Sequence, residues 1–467
     1  MPLTEIPRAE VEHHPLSYAD PSGRLFSWRG DLYRGVYADR APFYRELFAS
    51  GVAAALIEKG LMIAAEPADL CADGFGLILK CQRVPFVSYP FEWSSEMLRS
   101  AALLMLDLQR ELLRHGLVLQ DGQSWNILFD GARPVYVDWG SIAPTSNGAW
   151  AGDSDFRGFF LYPLRFMAAG HRRLARRLMH DFDSGIRPEE AALLDPPAGR
   201  AVQVRKSLKR AVASRAPERV RKTLRGVRSA LRAADAQPAV AMQQLIDGLY
   251  QELASMRFPT PATTWNNYYG EEFPSFSPSD EWTLKHHAVD RLLTELAPRT
   301  VLDVGSNRGW YAQLAAHKGA QVVAFDTDES SVDQLYAAAQ RDEQSILPLV
   351  MSFTNPTSGY GVNNRLSSPA AERFCCDVVF ALALTHHLVF SGNLRFEHIA
   401  AGLASLTRRT LIVEFVPRDD EYVRQWGSRN DGWYSQDNFV AALSAHFSQV
   451  SVQPSHPSPR VIVVCSK

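Results

Sequence analysis

The sequence predicts two domains of different class, a wound α/β domain in the C-terminal half and a smaller α+β domain ahead of it. Three observations carry this reading. A chain of 467 residues is too long for one ordinary core. Beyond residue 300, the apolar runs TVLDVG, QVVAFD, ILPLVM, CDVVFALAL and TLIVEFV alternate mostly with helix-like segments, as in a parallel sheet wound with helices. Before residue 120, short strand-like runs instead gather around few helices.

In chain order, 1–23 reads as an N-terminal tail and 24–195 as the first domain. Its strands are RLFSWRGDLYRGVY, LMIAAEP and FGLILKCQRVPFVSYPFEW, around one helix, APFYRELFASGVAAALIEKG, with Pro42 near its start. SSEMLRSAALLMLDLQRELLRHG is a second helix, N-capped by Ser94 or Ser95, with Gly116 just past its end. The stretch 196–237 is a basic helical linker: between Arg200 and Arg232 twelve Lys and Arg stand against one acid, Glu218. Apolar residues such as Val202, Leu208, Val212, Val220 and Leu224 recur there at helical spacing. Two readings stay open, a solvated linker helix and a peripheral contact with an anionic membrane. The second domain, 238–467, opens with the helix AVAMQQLIDGLYQELASM and ends in two antiparallel strands, VSVQPS and RVIVVCS.

A net charge of −2 argues against wholesale nucleic-acid binding, so no specific nucleic acid is expected as partner. Five cysteines without CxxC spacing fit a reducing cytoplasm, and no metal site is expected from their spacing or from the adjacent His286 and His287. The opening MPLTEIPRAEVEHHPL lacks the apolar core of a signal peptide, which also points to the cytoplasm.

VLDVGSNRGWYAQLAAHKGAQVVAFDTD, residues 301–328, is the richest stretch. A strand ends at Asp303, Gly305 and Gly309 allow a tight turn and close ligand approach, and a helix follows whose N-terminus faces the ligand. A second strand ends at Asp326, where an acid can accept both hydroxyls of a ribose. The dinucleotide pattern G-x-G-x-x-G is not met, since Ser306, Asn307 and Arg308 separate the two glycines. The pattern D-x-G-x-x-x-G resembles motif I of the class I S-adenosylmethionine-dependent methyltransferases, with Asn307 in place of the middle glycine. The resemblance covers about 282–467 and implies a Rossmann-like fold that binds S-adenosylmethionine through Asp303, Gly305, Ser306, Asn307, Gly309, Asp326 and Asn355. Within it, Asp377 opens the fourth strand, whose end borders the methyl group.

Methyl transfer is an in-line displacement, so a hydroxyl or ammonium acceptor needs alignment and a base. THH, Thr385–His387, stands where a base is wanted; His386 is the first choice and His387 the second. Glu414, a carboxylate in an apolar strand, is either a second polar group at the site or a structurally paired one. WNNYYG, 265–270, either covers the adenine or simply packs. HHLVFSGNLRFEHIA, LIVEFVP and PSHPSPR also resemble a family of rhizobial host-specific nodulation proteins, which implies a small-molecule, glycan or lipid-linked acceptor.

In DGQSWNILFDGARPVYVDWG, Asp121, Asn126 and Asp138 stand where protein-kinase-like folds place a proton-accepting aspartate, a metal-binding asparagine and the metal-binding aspartate of Asp-Phe-Gly. Over about 24–190 the chain thus resembles the kinase-like fold of aminoglycoside and sugar kinases, which implies ATP and Mg as cofactors. It departs from the pattern in three places: no histidine stands two residues before Asp121, no glycine-rich loop is evident, and no lysine is clearly placed for the phosphates. Lys80 lies on a strand, but late. A kinase-like module joined to a methyltransferase is similar to bacterial enzymes that phosphorylate and methylate polysaccharide ends.

Overall fold

The structure, a computed structural model, describes residues 3–14, 17, 20–145, 150–194, 238–259, 274–424 and 432–467. The basic linker and WNNYYG lie outside the described residues.

In the first unit, β1 (Thr4–Glu5), β2 (Glu12–His13), β3 (Gly23–Trp28), β4 (Asp31–Tyr37), β5 (Ala65–Pro67), β6 (Leu70–Cys71) and β7 (Phe75–Cys81) precede the long helix. Five of them form an antiparallel sheet in the order β2-β3-β4-β7-β5, with β4 in the middle. The stretch set apart as a tail belongs to this unit: β2 pairs with β3, β1 pairs with β6, and Ile6 is buried. Two-residue strands are too short for period-2 alternation to reveal them.

The single helix expected after β4 is two, α1 (Ala41–Ala49) and α2 (Val52–Glu58), because Gly51 between them has φ +84°, a left-handed value that suits glycine. The helix α3 (Ser95–Arg114) is as expected, with the Ser94 hydroxyl accepting from the Met97 amide. It leads to β8 (Leu117–Leu119), the hairpin β9 (Ile127–Asp130) and β10 (Arg133–Tyr136), β11 (Ile142–Pro144), and later α4 (Arg172–Leu178).

The helix α5 (Pro238–Ser255) belongs with the first unit rather than the second. It buries Met242, Ile246, Leu249 and Leu253, and it packs on α3, where Asp247 pairs with Arg110 at 2.7 Å and Tyr250 lies under the same guanidinium. An apolar stripe shows that a helix is buried but not against what, so the boundary at 238 misassigned it.

The second unit carries α6 (Leu284–Leu296), β12 (Thr300–Val304), α7 (Trp310–His317), β13 (Gln321–Asp326), α8 (Glu329–Arg341), β14 (Ile346–Val350), β15 (Cys376–Ala381), α9 (Thr385–Phe390), α10 (Phe396–Leu406), β16 (Thr407–Phe415), β17 (Gln449–Pro454) and β18 (Val461–Ser466). They form a seven-stranded sheet in the order β14-β13-β12-β15-β16-β18-β17. All pairings from β14 to β16 are parallel, and β18 runs antiparallel to both its neighbours. Every residue of β15 is buried, as expected of a strand covered on both faces. Strand order reverses beside β12, so the crevice beyond the C-terminal ends of β12 and β15 is where an open α/β sheet binds its ligand.

Candidate active site

The turn after β12 is built for close approach. Gly305 and Gly309 have φ +72° and +74°, and Asn307 takes +50°, the left-handed conformation expected of an asparagine in the middle glycine's place. A Cβ on Gly305 would sit 3.0 Å from Leu384, and one on Gly309 would sit 2.6 Å from Leu335. The turn is tied to the next strand, with the Gly305 and Ser306 amides donating to the Phe325 carbonyl at 2.9 and 3.1 Å.

Asp326 ends β13 facing this turn. Its carboxylate accepts the Asn307 amide at 2.8 Å and the Asp328 amide at 2.8 Å, so both oxygens are fixed in direction. Burial carries its pKa above the usual carboxylate range, against the pull of those amides. Asp303 is deeper; burial, then the Asp326 charge, pushes its carboxyl up to about 7. Ser306 is buried and its hydroxyl finds no hydrogen-bond partner among the described residues. An unmade hydrogen bond at that depth costs about 1–3 kcal/mol, which a polar ligand group in the turn would recover. The glycine cradle, the orphaned hydroxyl and the oriented carboxylate fit the aminoacyl and ribose ends of S-adenosylmethionine.

Asn355 follows β14 and lines a cavity of ≈ 1350 Å³ together with Thr327, Asp328, Met351 and Ser352. The far wall was not foreseen, because it comes from the first unit: Arg173, Arg177 and His180 on and after α4, and Phe91 stacked on His180 at 3.9 Å. Glu329, at the start of α8, anchors that wall by accepting from the Ser95 amide at 2.8 Å and the Ser95 hydroxyl at 2.5 Å, and from Arg176 at 2.8 Å. The acid-rich DTDE hints at polar anchoring, but partners more than 150 residues away leave no local pattern.

The THH sequence starts α9, directly after the Leu384 that abuts Gly305. His386 is 3% exposed and burial drives its imidazole pKa down to about 2, whereas His387 is half-buried and its pKa is lowered to about 4. His387 is thus the more accessible of the two rings, and a base must be able to meet its acceptor.

Glu414 resolves to the paired alternative. Fully buried, it accepts from Lys285 Nζ at 2.7 Å, the Ala383 amide at 2.9 Å and the Ser455 hydroxyl at 2.6 Å. Its task is to hold α6, the turn before α9 and the end of β17 together.

In the first unit, the Asp121 amide donates to the Ser141 hydroxyl at 3.0 Å, and burial, then the neighbouring Asp138 charge, raises the pKa of the Asp121 carboxyl. Asn126 Nδ2 donates to the Tyr136 hydroxyl at 3.2 Å. Asp138 caps its own turn through the Gly140 amide at 2.9 Å and pairs with Arg34 at 3.1 Å. This arrangement does not fit a divalent metal: the carboxylate expected to hold it is neutralised by a guanidinium, and no metal-binding group of His, Cys, Asp and Glu occurs among the described residues. Lys80 pairs with Asp31 on exposed surface instead.

No protein-family model matches the chain. It is 27% identical over 443 residues, 92% of its own length and 90% of the other, to the nodulation protein NoeA of Rhizobium meliloti (strain 1021). Among solved structures, monomeric WbdD is 17% identical over 38% of this chain and 39% of that one, with a TM-score of 0.28. The N-methyltransferase NodS of Bradyrhizobium japonicum is 11% identical over 39% and 93%, with a TM-score of 0.29. Magnesium protoporphyrin IX methyltransferase of Synechocystis is 16% identical over 44% and 89%, with a TM-score of 0.30. The second unit has the strand order and glycine-turn geometry expected of a Rossmann-like methyltransferase fold, and the chain is similar to the nodulation protein NoeA along nine-tenths of both lengths.

Proposed function

We propose that the second unit binds S-adenosylmethionine and methylates a small-molecule, glycan or lipid-linked acceptor in the cytoplasm, in the service of host-specific nodulation. The observation that carries this is the pairing of the Asp326 carboxylate with the Asn307 amide across the glycine turn. Asp303, Gly305, Ser306, Asn307 and Gly309 would hold the aminoacyl end, Asp326 the ribose and Asn355 the adenine edge. When bound, the cofactor supplies an electrophilic methyl group on a sulfonium. The chain's own part is to orient the acceptor and take its proton, for which His387, neutral at pH 7, is the candidate, with His386 behind it and Glu414 bracing the turn. Calorimetric titration tests the reading: wild type binds the cofactor and Asp326→Ala weakens it by about 10- to 100-fold, the order expected for losing a charge-assisted hydrogen-bond pair of about 1.5–3 kcal/mol. Equal binding by both chains, or none by wild type, overturns the assignment.

A second reading is favoured by the convergence of Asp121, Asn126 and Asp138 in one unit behind a five-stranded sheet. The Arg34–Asp138 pair does not fit the metal that ATP- and Mg-dependent phosphotransfer would need, so the reading is a degenerate kinase-like module that binds without transferring. ATP turnover lost in Asp121→Ala would overturn it; its absence from wild type leaves the binding module. Docking of residues 200–232 on anionic lipid is a separate proposal, supported by their charge and tested by vesicle co-sedimentation with and without salt.

A further inference from the structure

Two acids on α8 reach out of the second unit. Only Thr327 and Asp328 separate Asp326 from Glu329, the first residue of α8, and the Asp328 amide that aims one Asp326 oxygen lies one peptide before it. Glu329 and Asp333 stand four positions apart, so they share one face of the helix, and that face meets the first unit. A helix leaves its first amides without internal partners, and at the start of α3 two of them are taken by these acids. The Ser95 amide donates to Glu329 at 2.8 Å and the Glu96 amide to Asp333 at 3.4 Å. From the other side α4 closes the clamp: Arg176 donates to Glu329 at 2.8 Å and to the Trp93 carbonyl at 3.0 Å, and Arg172 lies 3.5 Å from Glu329 and 3.4 Å from Asp333. Burial alone would raise the pKa of the Glu329 carboxyl, but Arg176, then Arg172, bring it below the ordinary range, so Glu329 is held as a charged anchor. The opposite face of α8 buries Val332, Leu335 and Ala339 and packs on β13 and β14. The helix therefore keeps its packing without the clamp; what the clamp sets is where the first turn sits.

We propose that Arg176 and Ser95, both in the first unit, are positioning residues for the cofactor of the second. By fixing Glu329 they fix the Asp328 amide, and through it the direction in which Asp326 presents its carboxylate to the ribose. A shift of the first turn by about 1 Å is enough to take the Asp328 amide out of hydrogen-bonding range of Asp326. The groups that touch the cofactor thus belong to one unit and their aim to the other. This rests on the reading of Asp326 as the ribose acid.

The test titrates S-adenosylmethionine calorimetrically into the full chain as wild type, Arg176→Gln, Asp326→Ala and the double variant. Arg176→Gln is expected to weaken binding about 3- to 10-fold, a part of the loss expected for Asp326→Ala. In the Asp326→Ala background it should cost nothing further, because no carboxylate is left to aim. Arg176→Lys, which returns the charge beside Glu329, should recover part of the affinity. Ser95→Ala removes one donor from the same carboxylate and should give a smaller loss of the same sign; it carries the test if Arg176→Gln is not folded by circular dichroism. Wild-type affinity in the folded variants overturns the proposal, and so does an equal loss with and without Asp326, which marks a general structural effect. Failure of the cofactor reading itself looks different: wild type does not bind, or Asp326→Ala binds as wild type does, and either result takes this inference with it.

Discussion

Glu414 and Lys285 form a pair with almost no access to water, their side chains 0% and 10% exposed. Taking two charges out of water is compensated only while both are present and the carboxylate's other lone pairs are filled, as the Ala383 amide and Ser455 hydroxyl fill them. Lys285→Met should therefore cost about 3–5 kcal/mol by urea unfolding, leaving a buried carboxylate with only neutral donors. The double variant Lys285→Met/Glu414→Leu should recover much of that loss, because the unpaired charge is gone. If Glu414 instead served the methyl acceptor directly, Glu414→Gln would lower turnover with little loss of stability; on the present geometry it lowers both.

At the scale of elements, α6 and α9 carry three imidazoles that burial holds below their ordinary pKa: His286 and His387 at about 4 and His386 at about 2. An unfolded chain takes up these protons near pH 6.5 and the folded one does not, so their contribution is complete above pH 6.5 and is lost as pH falls toward 4. Asp303, raised to about 7, acts in the opposite sense, favouring the folded state in acid and losing that contribution as pH rises from 3.8 through 7. His386→Gln removes one imidazole and leaves Asp303, so its urea midpoint should fall less steeply than that of wild type between pH 6.5 and 5. An unchanged slope would mean that His386 titrates normally. The parallel strands and the glycine turn were legible because β-branched runs and left-handed turn residues are local signals, and Asp303, Gly305, Asn307 and Asp326 stand where those signals put them. The docking of α5 and the partner of Glu414 were not, since each depends on a surface supplied by a distant part of the chain; the pairing of β2 was not because two residues carry no alternation, and the break at Gly51 because a glycine within a helical pattern does not say whether the helix runs through it. The difference in burial between His386 and His387 was not legible either, because adjacent residues in a sequence carry no sign of which one faces inward.

On the scale of the whole molecule, the two units meet through charges and rings rather than a linker alone. Arg373 of the second unit pairs with Glu92 of the first at 2.5 Å, their side chains 5% and 1% exposed, and stacks on the Tyr89 ring at 4.1 Å. Tyr360 lies flat on Phe182 at 3.8 Å, and Phe129 meets Tyr336 edge-on. Buried ion pairs fix how the surfaces fit, and loss of one partner leaves the other charge stranded, at a cost of about 3–5 kcal/mol. Arg373→Met should therefore strike the contact between units more than either core, because Glu92 then has no cation to share its burial. Wild type should unfold in one calorimetric transition, the two units supporting each other through this contact. The variant should show two transitions, with the ligand-bearing unit identified by the one that S-adenosylmethionine shifts upward. The cavity beside Asn355 has its far wall in the first unit, so the same variant should also weaken cofactor binding although Arg373 touches none of the proposed ligands. A single transition that merely moves to lower temperature, with cofactor affinity intact, would show that the contact stabilises the chain without coupling its two halves.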